Sequence, residues 1–229
     1  MTKNIVFTIL LAFSFYSFAQ VTKPSEDSVL LKVKVKDYNN KLRVNDAIVF
    51  YAKNAAKSFE YITNTKGEFE ALLPEGDTYE VKILGLGNYS EYKSFEIPKE
   101  PGAFEMALDI KYEPAISVEL KNINFLSGKA ELSKTSFKEL DDLAHLLKIK
   151  KTMFIEVIGH TDNVGNAAKN AQLSKLRAEE IKKYLLAKSK ISNTRITTKG
   201  MGSSSPIADN TTEEGRAANR RTEIKITKE

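Results

Sequence analysis

The sequence predicts an α+β protein in two parts, an all-β sandwich followed by a two-layer α/β domain with the order β-α-β-α-β-β. In the first half, short segments of alternating apolar and polar residues are separated by Asn, Gly and Pro turn signals, a pattern typical of a sandwich. In the second half, two segments repeat apolar residues at helical spacing, with strand-like segments on either side. A chain of 229 residues with 41% hydrophobic content is large enough for one or two such domains.

The chain begins with a segment of the kind that directs export. Lys3 supplies a positive start, residues 5–15 form an apolar run, and small residues at Ser17 and Ala19 precede Gln20. We therefore expect residues 1–19 to be a signal peptide cleaved after about Ala19, with a retained anchor as the alternative. The run is shorter than the roughly 20 apolar residues of a membrane-spanning helix, so we expect no transmembrane segment in the mature chain.

Residues 28–111 are predicted to form the sandwich. Residues 31–36 alternate apolar and charged side chains, which indicates a half-buried strand. Turn signals such as Lys66-Gly67 separate the later strands. Those strands are predicted at residues 47–51, 59–63, 68–72, 79–84 and 92–97.

Residues 63–83 (TNTKGEFEALLPEGDTYEVKI) resemble the carboxypeptidase regulatory-like or Cna-B-like sandwiches of exported bacterial proteins. Several tyrosines offer either a sugar-stacking face or ordinary core aromatics, and the second interpretation is favoured. No catalytic pattern occurs here, so we expect a spacer or protein-docking module. The tyrosines concerned are Tyr51, Tyr61, Tyr79, Tyr89 and Tyr92.

Residues 114–229 are predicted to form the second domain, with two helices on one face of a mixed sheet. After a strand at 118–125, Ser133 is the expected N-cap of a helix that ends near Ile149. Asn166 is the expected N-cap of a second helix, which continues to about Lys188. The remaining strands are predicted at 153–159, 195–199 and 223–227, with a long polar loop at 200–215.

The second helix carries an arginine on its apolar face. Arg177 shares one i, i+4 row with the apolar residues Leu173, Ile181 and Leu185, and an arginine in that setting needs an anion. Asn170 lies two turns earlier on the same side, and Asp162 lies in the preceding loop. A carboxylate, a guanidinium and an amide together fit a zwitterionic ligand such as an amino acid. The alternative is that Asp162 and Arg177 pair only with each other.

Three motifs occur in order: TD-x-x-G from Thr161, N-x-x-L-S-x-x-R-A from Asn170, and G-R-x-x-N-R-R from Gly215. With them, residues 114–228 resemble the OmpA-like peptidoglycan-binding domain. The resemblance implies a two-layer fold that binds the diaminopimelate residue of the peptidoglycan stem peptide. It also implies that Asp162 holds the ligand's amine and Arg177 its carboxylate.

Other residues are expected around that ligand site. Asn170 and the backbone amides near Thr161 and Asn163 are expected to complete its polar contacts. His160 is a possible support or ligand contact. By the same resemblance, Asn219 and Arg220 lie beside the pocket, and we expect them to brace the loop rather than contact the ligand.

Other function classes fit the sequence poorly. The chain has no cysteine and two histidines, His145 and His160, without an H-E-x-x-H spacing, so we expect no metal site, no cofactor and no enzymatic activity. Residues 1–113 hold 14 basic and 16 acidic residues, whereas residues 114–229 hold 21 and 14. A basic second half suits nucleic acid, an anionic membrane or an acidic glycopeptide. An exported chain without a nucleic-acid-binding motif favours the glycopeptide over nucleic acid.

We therefore expect a non-enzymatic protein of the periplasm or outer membrane that tethers itself to peptidoglycan. The alternative is a protein–protein adapter that acts on envelope proteins through the sandwich, for which a long apolar edge strand would be the sign.

Overall fold

The first half of the chain folds into two sheets that enclose one core. The computed structural model describes residues 24–25, 27–120, 123–126 and 128–229, so the expected signal peptide lies outside the described residues. One sheet has the order β4-β1-β7 and the other β3-β2-β5-β6. The strands are β1 (Ser28–Lys36), β2 (Ala47–Ala52), β3 (Lys57–Ile62), β4 (Glu68–Pro74), β5 (Asp77–Leu84), β6 (Tyr89–Ile97) and β7 (Glu105–Lys111).

Strand β1 shows why this sequence forms a two-sided sheet. Val29, Leu31, Val33 and Val35 point into the core, and the lysines between them point outward. Lys32 and Lys34 pair with acidic residues of β7 and β4 at 2.6 Å. Period-two alternation thus gives β1 one face in the core and one charged face, and the resemblance to carboxypeptidase regulatory-like sandwiches stays a prediction.

The sandwich tyrosines pack mainly into cores. Tyr79 is fully buried, and Tyr61 stacks on Phe69 with ring centroids 5.4 Å apart. Tyr92 packs against the same core, and Tyr89 packs against the core of the second domain. These positions favour ordinary core aromatics over a sugar-stacking face.

The second half forms a four-stranded sheet of order β10-β9-β11-β8 with helices packed on it. Strands β9 and β10 are parallel, and β11 is antiparallel to both of its neighbours. This mixed sheet confirms the predicted two-layer α/β domain. The elements are β8 (Ser117–Leu120), α1 (Phe137–Ile149), β9 (Phe154–His160), α2 (Ala167–Ser189), β10 (Ile196–Gly202), α3 (Glu213–Asn219) and β11 (Thr222–Lys228).

Two local predictions are wrong at the start of this domain. Strand β8 ends at Leu120 rather than at Phe125, and the hydroxyl of Ser136 binds both backbone groups of Asn124 in place of a neighbouring strand. Ser133 does not cap α1, because a 3₁₀ turn (Lys134–Ser136) intervenes. The Ser133 hydroxyl lies 3.1 Å from that of Thr135 instead.

The segment predicted as one long loop also differs. Strand β10 continues to Gly202, and a short third helix, α3, precedes the last strand. Thr212 caps α3 through its hydroxyl, which accepts a hydrogen bond from Gly215 N at 3.0 Å. Glu213 and Glu214 stand in the first turn, where negative charge favours a helix. Seven residues are too few for a visible helical period, so the pattern predicted only a loop.

Candidate functional site

A cleft of about 370 Å³ opens between α2, α3 and the segment that precedes α1. It combines two guanidinium groups with apolar walls. Its lining residues are Ile123, Asn124, Phe125, Gly128, Arg177, Ala217 and Arg220.

Arg177 projects from α2 into this cleft and is half-buried. Its Nε donates to the Lys129 carbonyl oxygen at 3.1 Å, and its guanidinium carbon lies 4.9 Å from the centre of the Phe125 ring. Burial lowers the pKa of Arg177, an effect that Asp162 opposes and Arg220 reinforces. Within the described part of the chain, Arg177 forms no ion pair with a carboxylate.

Asp162, just beyond the end of β9, pairs with Arg220 instead. Its Oδ2 accepts a hydrogen bond from Arg220 Nη1 at 2.8 Å, and its Oδ1 accepts one from Val164 N at 3.1 Å. Arg220 also donates from Nη2 to Glu213 at 2.9 Å. The Asp162–Arg177 pair, the alternative drawn from the sequence, is absent from this arrangement.

The polar residues around Asp162 shape its loop. Asn170 Nδ2 donates to the carbonyl oxygens of Asp162 and Val164 at 3.3 and 3.0 Å. The Thr161 hydroxyl donates to the Asp162 carbonyl oxygen at 2.8 Å, and Asn163 N donates to Asn210 Oδ1 at 3.3 Å. The structure thus gathers Thr161, Asn163 and Asn170 around Asp162, and their ligand contacts stay a prediction.

Two of the three expected supporting residues, His160 and Asn219, are buried. His160 is 4% exposed, and its Nε2 lies 3.4 Å from Glu223 Oε1 without hydrogen-bond geometry. Burial and the neighbouring Arg221 lower the pKa of His160. Asn219 is fully buried and binds Ile207 N, Ala208 N and the Ala208 carbonyl oxygen at 2.8 to 3.1 Å. Asn219 therefore braces the 207–210 loop, whereas Arg220 both braces Asp162 and lines the cleft.

The opposite wall of the cleft did not emerge from the sequence. Phe125, Gly128 and the carbonyl of Lys129 face Arg177, although they belong to a distant part of the chain. No spacing rule connects a loop before α1 with a side chain on α2, so only the folded chain shows this contact.

The arrangement can bind a ligand that carries both charges. Arg177 and Arg220 line the cleft and could receive a carboxylate, and Asp162, which is hydrogen-bonded to Arg220, could receive an ammonium. In the described ranges, no group of three or more His, Asp or Glu side chains could hold a metal ion. None of the described helices combines the length and the apolar character needed to cross a bilayer.

Comparison with known proteins finds a family match in the second domain. The OmpA family model matches residues 124–220. The chain is 39% identical to outer membrane porin F of Pseudomonas fluorescens over 111 residues, which is 48% of this chain and 33% of the relative. It is 38% identical to the peptidoglycan-binding protein ArfA of Mycobacterium bovis over 104 residues, 45% of this chain and 32% of that protein.

Among solved structures, the cell wall anchor of the type VI secretion system of Pseudomonas aeruginosa is 30% identical, with a TM-score of 0.43. The match covers 51% of this chain and 86% of that one. The chain spans between about a third and a half of the length of the first curated relatives that it matches.

Proposed function

Residues 124–220 form an OmpA family domain, and from this we propose that the protein binds peptidoglycan non-covalently through the cleft at Arg177. The ligand group proposed is the diaminopimelate residue of the stem peptide, which carries an amine and a carboxylate on one carbon. The observation that carries the proposal is the half-buried Arg177 guanidinium, which faces the cleft without an ion-pair partner in the described residues.

The carboxylate of such a ligand would enter between two arginines. Arg177 uses Nε for the Lys129 carbonyl oxygen, and its guanidinium has two further nitrogens. A planar guanidinium can bind a carboxylate with two parallel hydrogen bonds. Burial lowers the pKa of Arg177, and the nearby Arg220 adds to this lowering through repulsion between the two cations. An anion placed between them relieves that repulsion, which favours the charged ligand.

The ammonium of the ligand would share Asp162 with Arg220. A carboxylate offers about four acceptor sites, and Asp162 uses one for Arg220 Nη1 and one for Val164 N. The remaining sites can accept an ammonium without breaking either contact. Asn170 holds this loop in place, so its contribution acts through the position of Asp162.

The relatives support the same assignment. ArfA of Mycobacterium bovis is described as peptidoglycan-binding, and porin F of Pseudomonas fluorescens as an outer membrane protein. We therefore propose that this protein is exported to the periplasm or the outer membrane and acts there as a binding protein rather than an enzyme.

The adapter function has less support from the structure. Of the four edge strands of the sandwich, β6 and β7 expose charged residues such as Glu91, Lys93 and Glu105 rather than a continuous apolar row. Charged side chains on an edge discourage pairing with another strand.

The test is co-sedimentation of the chain lacking residues 1–19 with purified diaminopimelate-type peptidoglycan. Asp162→Asn and Arg177→Met each remove one charged contact, and we expect a loss of about 1.5–3 kcal/mol, tenfold or more in affinity. Asp109→Asn and Lys183→Met are the matched controls, because they remove exposed charges outside the cleft.

Free diaminopimelate should compete with the wall polymer for wild-type protein. If wild type stays in solution, or if both cleft variants pellet as well as their controls, the cleft is not the binding site.

A further inference from the structure

A lysine at the end of α1 reaches into the sandwich. The Lys150 side chain is 7% exposed, and its ammonium donates to the Val44 carbonyl oxygen at 3.0 Å, to Glu229 at 2.9 Å and to Asp46. An ammonium has three donors, and all three are used here. Two of these partners, Val44 and Asp46, belong to the sandwich, so a buried cation joins the two domains.

The residues around the Lys150 ammonium include other buried charged groups. Asp46 is 2% exposed and accepts a hydrogen bond from Arg43 Nε at 2.9 Å and another from the Tyr112 hydroxyl. Arg43 also reaches Glu229 at 3.3 Å. Burial and the Asp46 charge raise the pKa of Tyr112, so its hydroxyl stays protonated and donates. We call Arg43, Asp46, Tyr112, Lys150 and Glu229 the junction cluster.

An apolar contact also joins the two domains. Ala47, Leu84 and Leu86 of the sandwich belong to the same buried cluster as the core residues of α1 and β8. The approach at Gly87 is close, because a Cβ there would lie 2.8 Å from Leu120 Cδ2. His145 of α1 also lies 2.9 Å from Glu60 of β3. The second domain thus completes its core with sandwich residues.

We propose that the sandwich and the OmpA family domain form one rigid unit, in which Lys150 locks the sandwich against α1. Two features distinguish such a lock from an incidental contact. Lys150, Asp46 and Arg43 are buried, and all three donors of the Lys150 ammonium are used, as a buried ion pair requires if it is to stabilise a contact. The connection from β7 to β8 is short, residues 112–116, so the interface forms within one molecule.

The lock lies far from the peptidoglycan cleft. Lys150 precedes β9, whereas Asp162 follows it, and a seven-residue strand spans roughly 20 Å. The lock therefore leaves the cleft open and fixes its direction relative to the sandwich. It also occupies the sandwich surface around Asp46 and Leu84 with the chain's own second domain, so an external partner must use another face.

The test is to cut the connection and ask whether the halves stay together. A protease recognition sequence is inserted at the exposed Ala115 in the chain lacking residues 1–19, the purified protein is cleaved, and the products are separated by gel filtration. We expect the wild-type halves to elute together. Lys150→Met removes the charged hydrogen bonds to Val44 and Asp46 across the interface and leaves Arg43 as the remaining cation beside Asp46. Association should therefore weaken roughly 100-fold, so that the halves separate on dilution. Lys151→Met, at the exposed neighbouring position, is the matched control.

Circular dichroism of the uncut proteins establishes that Lys150→Met still folds. If it does not, Glu229→Gln, at a half-exposed member of the junction cluster, takes its place with a smaller expected loss. If the cleaved wild-type halves separate on gel filtration, the proposal is wrong, whatever the variants do. If the halves of the Lys150→Met protein stay associated as strongly as the wild-type halves, Lys150 does not hold the two domains together. Neither result depends on peptidoglycan binding.

Discussion

His160 shows how one buried side chain can make the stability of this fold depend on pH. It lies at the end of β9, just before Asp162, and its ring is almost completely enclosed. Arg221 and Glu223 are the charged groups in its surroundings, and burial dominates the lowering of its pKa. The neutral imidazole is therefore the form that the fold accepts.

The lowered pKa of His160 predicts how the stability of the fold changes with pH. Below the ordinary histidine pKa of about 6.5, the unfolded chain binds a proton that the folded chain resists, so the free energy of unfolding falls as the pH falls. One such group contributes a slope of up to about 1.4 kcal/mol per pH unit. We expect His160→Gln to flatten this slope in urea unfolding between pH 7.5 and 5.5. An identical slope in wild type and variant would show that His160 does not cause it.

The site residues differ in how far the sequence determined them. Asp162 and Arg177 were identified from local position, because a loop acid and an arginine on an apolar helix face stand out in any chain. The pairing of Asp162 with Arg220 could not be identified from the sequence, because these residues are 58 positions apart and no local pattern connects them.

At the scale of the element, α2 owes its position to two glycines. A Cβ at Gly159 of β9 would overlap the carbonyl oxygen of Ser174, and one at Gly200 of β10 would overlap the backbone of Lys175. The helix backbone thus lies directly on the two strands. Ser174 also accepts a hydrogen bond from Gly202 N at 2.9 Å, which fixes the helix along the sheet. This contact sets the place of Asn170 and Arg177.

A methyl group at this contact should move the helix. We expect Gly159→Ala to cost about 1–3 kcal/mol of stability, as overpacking typically does, and to weaken peptidoglycan binding because Arg177 moves with α2. Gly85→Ala is the matched control, since its Cβ would meet its nearest atom at an ordinary 3.6 Å. Thermal unfolding and co-sedimentation measure the two effects. Unchanged stability and binding in Gly159→Ala would contradict the close contact.

The elements themselves were largely predictable. The N-cap Asn166 accepts from Lys169 N at 3.1 Å as the sequence indicated, and α1 ends at the predicted Ile149. The errors at Ser133 and α3 have a common cause. Each depends on one or two hydrogen bonds in a short segment, where periodicity carries little information.

At the scale of the molecule, the two domains share a core rather than only a linker. The sandwich residues Ala47, Leu84 and Leu86 cover apolar surface that would otherwise face water. Burial of such surface contributes about 25 cal/mol per Å². The second domain should therefore depend on the first for part of its stability.

We accordingly expect residues 114–229 alone to unfold at a lower temperature than the same domain in the chain lacking residues 1–19. The separated domain would also leave Lys150 without Val44 and Asp46. Calorimetry of both proteins checks this, and the intact chain should unfold in one transition. Two separate transitions, with the upper or lower one matching the isolated domain, would show that the halves are independent.

The fold class, the order of most elements and the acid and arginine of the candidate site could be predicted from the amino-acid sequence. These follow from alternation, helical spacing and capping residues, all of which operate within about a dozen neighbouring positions. Which side chains meet across long separations depends on how the chain packs. Packing of the sheets and helices brings Phe125 beside Arg177 and Arg220 beside Asp162. It also buries Lys150 against Asp46. Such contacts have no period in the chain, so they exist only once packing has brought the elements together.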